Sequence, residues 1–193
     1  MTRIIAGTAG GRRLSTPRGT TTRPTADRVR EAVFSAVEHQ LGTLAGKHVL
    51  DLYAGSGALG LEAVSRGATS AVLVEHDRRV GDTLRANIAS LDLRSATLRL
   101  GRVERVVASG PPRGRLFDVV FLDPPYPLGN DEVVAVLRLL LENRWLALDA
   151  LMVVERSSRS ADLAWPPGLE ATRSRRYGET CVWYGRRTRP ARS

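Results

Sequence analysis

From residue 47 onward the chain repeats one pattern: a short apolar run, a turn, then a segment with helical periodicity. That alternation predicts an open, mostly parallel β-sheet with helices on both faces, an α/β fold of Rossmann-like type. His48-Val49-Leu50-Asp51-Leu52 reads as the first strand, and Ala58 to Arg66 as a short helix ended by Gly67. Ala71 to Val74 reads as the second strand and runs into Glu75-His76-Asp77, after which Val80, Leu84, Ile88 and Leu91 share one helical face. Ala96 to Leu100 and Phe117 to Leu122 are the third and fourth strands, the latter closed by two prolines that cannot donate to a ladder. A strongly apolar helix is predicted from Asn130 to Trp145, and a fifth strand over Ala150 to Glu155. Leu169 to Arg176 and Thr180 to Gly185, joined through Tyr177-Gly178-Glu179, predict a C-terminal antiparallel pair.

The segment before this core has another character. Arg3 to Ala6 and Arg12 to Thr16 are short β candidates joined through Gly10-Gly11, so residues 1–24 read as a small basic hairpin extension. Thr25 is placed to cap a helix with Val29, Ala32, Val33, Ala36, Val37 and Leu41 on one face. Residues 25–189 then form one α/β domain, with 190–193 as a tail.

Charge is concentrated at the two ends. Residues 1–30 hold seven Arg against Asp27 alone, and residues 173–193 hold seven Arg against Glu179 alone, so each end carries +6 and the body between them −3. Such a distribution suits a polyanion, because each arginine that neutralises a phosphate releases counterions and can bind it through two hydrogen bonds. Arg3, Arg12, Arg13, Arg18, Arg23, Arg28 and Arg176 are the candidate nucleic-acid contacts. Of the 29 basic residues only Lys47 is lysine, a bias that base composition could produce without gathering the excess at the ends.

Several classes are disfavoured. No stretch approaches the length of a membrane span and no signal-peptide core is present, although the acid-free, Arg- and Thr-rich first 26 residues share traits with transit peptides. A cytoplasmic protein is expected. The lone Cys181, within Cys181-Val182-Trp183-Tyr184, fits a reducing compartment and a small buried strand residue. His39, His48 and His76 are isolated, which argues against a metal site, and no serine sits in a nucleophile elbow.

Gly55-Ser56-Gly57-Ala58-Leu59-Gly60 satisfies the dinucleotide fingerprint. Asp51 at the preceding strand end speaks against a pyrophosphate and for a cationic ligand. S-adenosylmethionine, with its sulfonium and ammonium, is the cofactor this charge favours. Glu75 ends the second strand, where a carboxylate can accept both ribose hydroxyls. Tyr53, Ala54, Gly55, Ser56, Gly57 and His76 complete the expected cofactor wall.

The most informative stretch is Asp123-Pro124-Pro125-Tyr126 at the end of the fourth strand. An exocyclic base amine is a poor nucleophile because its lone pair is delocalised into the ring, and it needs acceptors for its hydrogens as nitrogen becomes tetrahedral. The Asp123 carboxylate and the Pro124 carbonyl would supply two, and Tyr126 would stack on an extruded base. Adenine-N6 methylation of DNA or RNA uses the same chemistry and stays open on these residues, as does a non-catalytic RNA-binding or assembly factor.

Val49-Leu50-Asp51-Leu52-Tyr53-Ala54-Gly55-Ser56-Gly57 resembles the cofactor motif of class I methyltransferases, and Asp123-Pro124-Pro125-Tyr126 that of amino-methyltransferases. Arg23 to Phe34, with Arg3-Ile4-Ile5-Ala6-Gly7, Gly11-Arg12-Arg13-Leu14 and Tyr177-Gly178-Glu179-Thr180, resembles the bacterial 16S rRNA guanine-N2 methyltransferase family over nearly the whole chain. The resemblance implies a seven-stranded methyltransferase sheet with a basic N-terminal hairpin. It also implies a guanine substrate in small-subunit rRNA, within the subunit or a late assembly intermediate, with Arg23 to Arg28 bordering cofactor and target base. A monomer is expected. Where many such relatives carry an acidic or amide residue after the third strand, this chain has Arg102-Val103-Glu104, so a Val103 backbone contact is expected for the adenine. A protein-glutamine methyltransferase fits less well, because those relatives carry Asn at the position of Asp123.

Overall fold

The computed structural model describes residues 2–16, 24–125 and 127–188. Its centre is a seven-stranded sheet built from β1 (His48–Leu52), β2 (Ser70–Glu75), β3 (Ala96–Leu100), β4 (Phe117–Leu122), β5 (Leu146–Ser157), β6 (Leu169–Tyr177) and β7 (Thr180–Arg187). The order is β3-β2-β1-β4-β5-β7-β6, with β1 to β5 parallel and β7 antiparallel to both β5 and β6. The predicted C-terminal pair is thus present and supplies one edge. The inner strands are apolar along both faces because both are covered.

Helices α1 (Pro24–Leu41), α2 (Ala58–Ser65) and α3 (Arg78–Leu91) pack on one face, where Phe34 and Val37 meet Phe121, Val153, Val182 and Tyr184. Helices α4 (Val103–Ala108) and α5 (Asn130–Glu142) cover the other, against Leu50, Val120, Met152 and Val154. α1 starts at Pro24, one residue before the cap expected at Thr25, in keeping with proline's preference for the first helical position. Asp77 caps α3, its carboxylate accepting from Arg79 N at 2.8 Å and Val80 N at 3.1 Å. No helix among the described residues is long and apolar enough to cross a membrane.

Two boundaries differ from the sequence reading. The apolar helix expected to reach Trp145 stops at Glu142, because Arg144 takes a left-handed φ of 56° and turns the chain back to the sheet. Trp145 is instead fully buried, stacked on Phe117 at 5.5 Å and donating from Nε1 to Val107 O at 2.8 Å. β5 begins at Leu146 rather than Ala150, carried past a register shift opposite β4 in which Asp149 has φ 60°.

The N-terminal hairpin closes with an antiparallel bridge between Arg3 and Arg13 and lies against the body. Glu62, fully buried on α2, accepts Ile5 N at 2.7 Å and Ala6 N at 3.0 Å; Ser65 accepts Ala9 N at 2.9 Å and donates to Ala6 O at 2.6 Å. Asn87 on α3 pairs with both backbone groups of Ser15 at 2.9 Å. A Cβ on Gly7 would lie 1.8 Å from Ser65 O, so only glycine permits this approach.

Candidate active site

The strand order reverses between β1 and β4, since β1 continues to β2 on one side and meets β4 on the other. Open α/β sheets bind ligands in the crevice outside the carboxyl ends of such strands. Asp51, Glu75 and Asp123 stand there, at the ends of three neighbouring strands.

The β1–α2 turn forms the floor. Gly55 and Gly57 take φ of 56° and 87°, a region that disfavours side chains, and a Cβ on Gly55 would meet nothing within 4 Å. That side of the turn faces open space, and the backbone is bare towards it. Ala54 N donates to Val74 O at 2.9 Å, and Asn87 Nδ2 donates to Ser56 O at 2.9 Å, so strand and helix hold the turn from below. Tyr53 has a left-handed φ of 64° and sends its half-buried ring towards the α4–α5 layer, leaving only its backbone near the turn.

Asp51 is 1% exposed and accepts Gly60 N at 2.8 Å, so it acts from beneath the turn through its field rather than as an open ligand. Burial pushes its carboxyl up to about 7; the Gly60 amide opposes this, and the charges of Asp123 and Glu75 add to it. Glu75 takes Gly55 N at 3.0 Å on one oxygen and His76 N and Asp77 N at 2.7 and 2.8 Å on the other. A carboxylate accepts about four hydrogen bonds, so capacity remains towards the crevice. His76 is exposed beside it, Nδ1 lying 3.1 Å from Glu75 Oε1. Val103 opens α4 with its side chain buried, leaving only its backbone for contact above β3.

Asp123 follows β4 directly and is reached by solvent, although protein walls surround it. Desolvation by those walls pushes its carboxyl up to about 6, against the pull of Arg156. Pro124 is buried and Pro125 exposed, and Pro125 O accepts Leu128 N at 2.9 Å to close the loop. No hydrogen bond reaches the Pro124 carbonyl among the described residues. Tyr126 lies outside the described residues.

Two participants were not expected from the sequence. Glu155 on β5 is pushed up to about 8 by burial and then by the charge of Asp123, with Thr180 Oγ1 donating to it at 3.3 Å. The two carboxyls titrate as a pair. Arg156, 8% exposed, donates from Nε to Asn130 Oδ1 at 3.0 Å and from its terminal nitrogen to Leu128 O. It thus ties the loop after Pro125 to β5 while lowering the Asp123 carboxyl. Their position at a strand end next to β4 was the available signal, hidden because the adjacency of β4 and β5 is a tertiary fact. Arg156→Ala should move the midpoint of the Asp123 titration upward, because the carboxyl loses its cation, and a midpoint unchanged from wild type would refute this coupling.

Asp51, Glu75, Asp123 and Glu155 gather acidic groups at adjacent strand ends, where burial and then mutual repulsion raise the Asp51 and Glu155 carboxyls, and Arg156 is the cation acting on Asp123. A ligand combining a nucleoside body with positive charge relieves that repulsion and meets a bare glycine backbone, which is the fit expected of S-adenosylmethionine. Among the described residues no group of His, Cys, Asp and Glu could hold a metal ion, and Cys181 is a buried strand residue.

The basic contacts fall into distinct settings. Arg13 and Arg28 are exposed, and Arg3 is an exposed neighbour of Asp27 at 3.5 Å. Arg12 instead caps α3, donating to Leu91 O at 3.2 Å and to Ser90 O. Arg176 is exposed on β6; Arg18 and Arg23 lie outside the described residues.

Comparison with known proteins agrees with this geometry. A family model described as "Conserved hypothetical protein 95" matches residues 2–186. "Putative rRNA methyltransferase YlbH" of Bacillus subtilis is 36% identical over 182 residues, 93% of this chain and 96% of that protein. "Ribosomal RNA small subunit methyltransferase D" of Escherichia coli is 40% identical over 153 residues, 79% of this chain and 73% of that one. The solved structure "Putative methyltransferase yhhF from Escherichia coli" superposes with a TM-score of 0.84 at 33% identity, covering 97% of this chain and 98% of that one.

Proposed function

The chain belongs to the conserved hypothetical protein 95 family, and from that membership we propose that it methylates the N2 amine of a guanine in small-subunit ribosomal RNA, with S-adenosylmethionine as donor. The fold is the class I methyltransferase sheet. The observation that carries the reading is the position of Asp123: a solvent-reached carboxylate at the strand-order reversal, next to a glycine turn whose upper side is open.

The donor supplies an electrophilic methyl group on a positively charged sulfur. The chain's own residues do the rest. The Gly55-Ser56-Gly57 turn gives the donor close access to backbone, Glu75 offers acceptors for ribose hydroxyls, and Asp51 provides a compensating field from below. Ionised Asp123 accepts a hydrogen of the target amine, and the Pro124 carbonyl accepts the other, so the nitrogen lone pair is drawn out of conjugation and aimed along the line of attack. As the N–C bond forms, the methyl–sulfur bond would break with its electron pair left on sulfur as the neutral thioether, and the acidified amine would pass its proton to Asp123, whose raised pKa suits that task. The resemblance to the guanine-N2 methyltransferases implies Tyr126 and the segment from Arg23 to Arg28 as the contacts of the base.

The N-terminal hairpin and the Arg-bearing C-terminal pair suit an RNA held within an assembled particle, on which a monomer acts in the cytoplasm. Purified protein should transfer labelled methyl from S-adenosylmethionine to small subunits isolated from cells lacking it, and nucleoside digestion should yield N2-methylguanosine. N6-methyladenosine, or tight binding with no transfer, would replace this reading with one of the two alternatives.

A further inference from the structure

The neutral base and the anionic backbone of an RNA strand need different surroundings. The crevice centre, with Asp51, Asp123 and Glu155, accepts a heterocycle and repels phosphate. The backbone that carries the target nucleotide must therefore be held outside this acidic zone by cations on the same side of the sheet. The strand register shows where they are.

Leu122, the last residue of β4, is level with Val154 on β5, Trp183 on β7 and Ser174 on β6. One residue further, Glu155 pairs with Val182 and Val182 with Arg175, and Asp123, which follows Leu122, continues this row beyond the end of the β4–β5 ladder. Arg175 thus lies in the same row as the catalytic carboxylate, three strand spacings away, roughly 14 Å at the usual interstrand distance.

The faces agree as well. Phe121, Val153, Val182 and Tyr184 point to the α1 side, so Asp123 and Glu155 continue that side by alternation. A register shift between Ala171 and Arg173 resets β6, after which Arg173 opposes Tyr184, Arg175 opposes Val182 and Tyr177 opposes Thr180. All three therefore lie on the α1 side. Tyr177 packs against the core of that side, and the Arg173 guanidinium lies 5.0 Å above the Tyr184 ring. Arg176 points to the other face, towards Cys181 and Asp162. Arg175 is exposed at the sheet edge, while Arg173 and Tyr177 are half-buried against Tyr184 and the core of that side and keep part of their surface open.

We propose that the RNA strand flanking the target guanine runs along the α1-side face of the β6 edge, with Arg173 and Arg175 holding its phosphates and Tyr177 stacking a neighbouring base. The edge carries what such a strand requires: cations at alternate positions for the backbone and an aromatic ring at the end nearest the active site. The acidic centre and this basic rim together orient the substrate, base inward and backbone outward. Arg175 is a positioning residue for the reaction proposed above, on which this inference rests.

The test compares Arg175→Gln and Tyr177→Leu with wild type and with Arg138→Gln, an exposed charge on α5 on the opposite face. Binding of unmodified small subunits and of naked 16S rRNA is measured by filter retention against salt, and methyl transfer by steady-state kinetics. Arg175→Gln should raise Kd and KM about tenfold or more, with kcat nearly unchanged, and should flatten the salt slope by about one. Tyr177→Leu should weaken binding by a similar factor without altering the slope, since stacking carries no counterion release. Arg138→Gln should match wild type, Arg175→Gln should retain the wild-type Tm, Tyr177→Leu should lower Tm slightly through its lost core contact, and all variants should keep the affinity for S-adenosylhomocysteine. Unchanged Kd and slope in Arg175→Gln, or a larger effect from Arg176→Gln, would overturn the path. Wild type that methylates no RNA strikes the proposed function instead, and filter retention still reads the path separately.

Discussion

Asp123→Ala should lower kcat for methyl transfer by about 10²- to 10⁴-fold, the usual contribution of a positioned acid or base. Removing this carboxylate leaves one amine hydrogen without an acceptor and the lone pair conjugated with the ring. Binding of S-adenosylhomocysteine should stay close to wild type, because the glycine turn and Glu75 do not hydrogen-bond to Asp123. Asp123→Asn keeps an acceptor oxygen without the charge and should fall between the two. In wild type the acting form is the ionised one, and its pKa is raised to about 6, so kcat/KM should climb as pH rises through about 6 and level off above it. A flat profile from pH 5 to 8, or an alanine variant with wild-type kcat, would remove Asp123 from the mechanism.

The largest loss of stability is expected at Glu62. Its carboxylate, with no exposed surface, accepts two backbone amides of the hairpin and Arg66 Nε at 2.7 Å, and Arg30 Nε lies 3.9 Å away as an ion-pair neighbour. Arg66 in turn reaches Glu31 at 2.8 Å and Glu38 at 3.4 Å on α1 and stacks over Phe34 at 4.9 Å. One buried charge therefore joins hairpin, α1 and α2. Glu62→Ala takes the acceptor from two hairpin amides and from Arg66 Nε, while Arg30 keeps Asp27 and Arg66 keeps Glu31 and Glu38, a loss of about 3–5 kcal/mol from several unsatisfied donors at roughly 1–3 kcal/mol each. For a chain of this size that corresponds to a Tm drop of roughly 6–20 °C. Calorimetry measures it directly, and a loss below about 1 kcal/mol, typical of surface pairs, would show that the network adds nothing beyond its exposed members.

The two sites differ in how visible they were before folding. The strand ends of Asp51, Glu75 and Asp123 follow from local rules: apolar runs bounded by glycine and proline mark where each strand stops, and a residue just past a strand end faces the crevice. Glu62 carries no such mark. It lies in Ala58-Leu59-Gly60-Leu61-Glu62, an ordinary helical stretch, and its partners Ile5 and Ala6 lie more than fifty positions away. Arg12 differs again: its exposed side chain also donates to the last carbonyls of α3, a contact that depends on where the hairpin docks. Neutralising Arg13 rather than Arg12 is thus the cleaner probe of the hairpin's share in RNA binding.

Local order along the chain was enough for the element sequence, the antiparallel C-terminal pair, the glycine turn and the acidic strand ends, because periodicity, turn residues and strand alternation act over a few residues. Strand adjacency, the coupling of Asp123 to Glu155 and Arg156, the burial of Glu62 and the face on which Arg175 emerges came from assembly. Each depends on contacts between residues far apart in the chain, and for Arg175 on a single register shift that reverses every side chain after it.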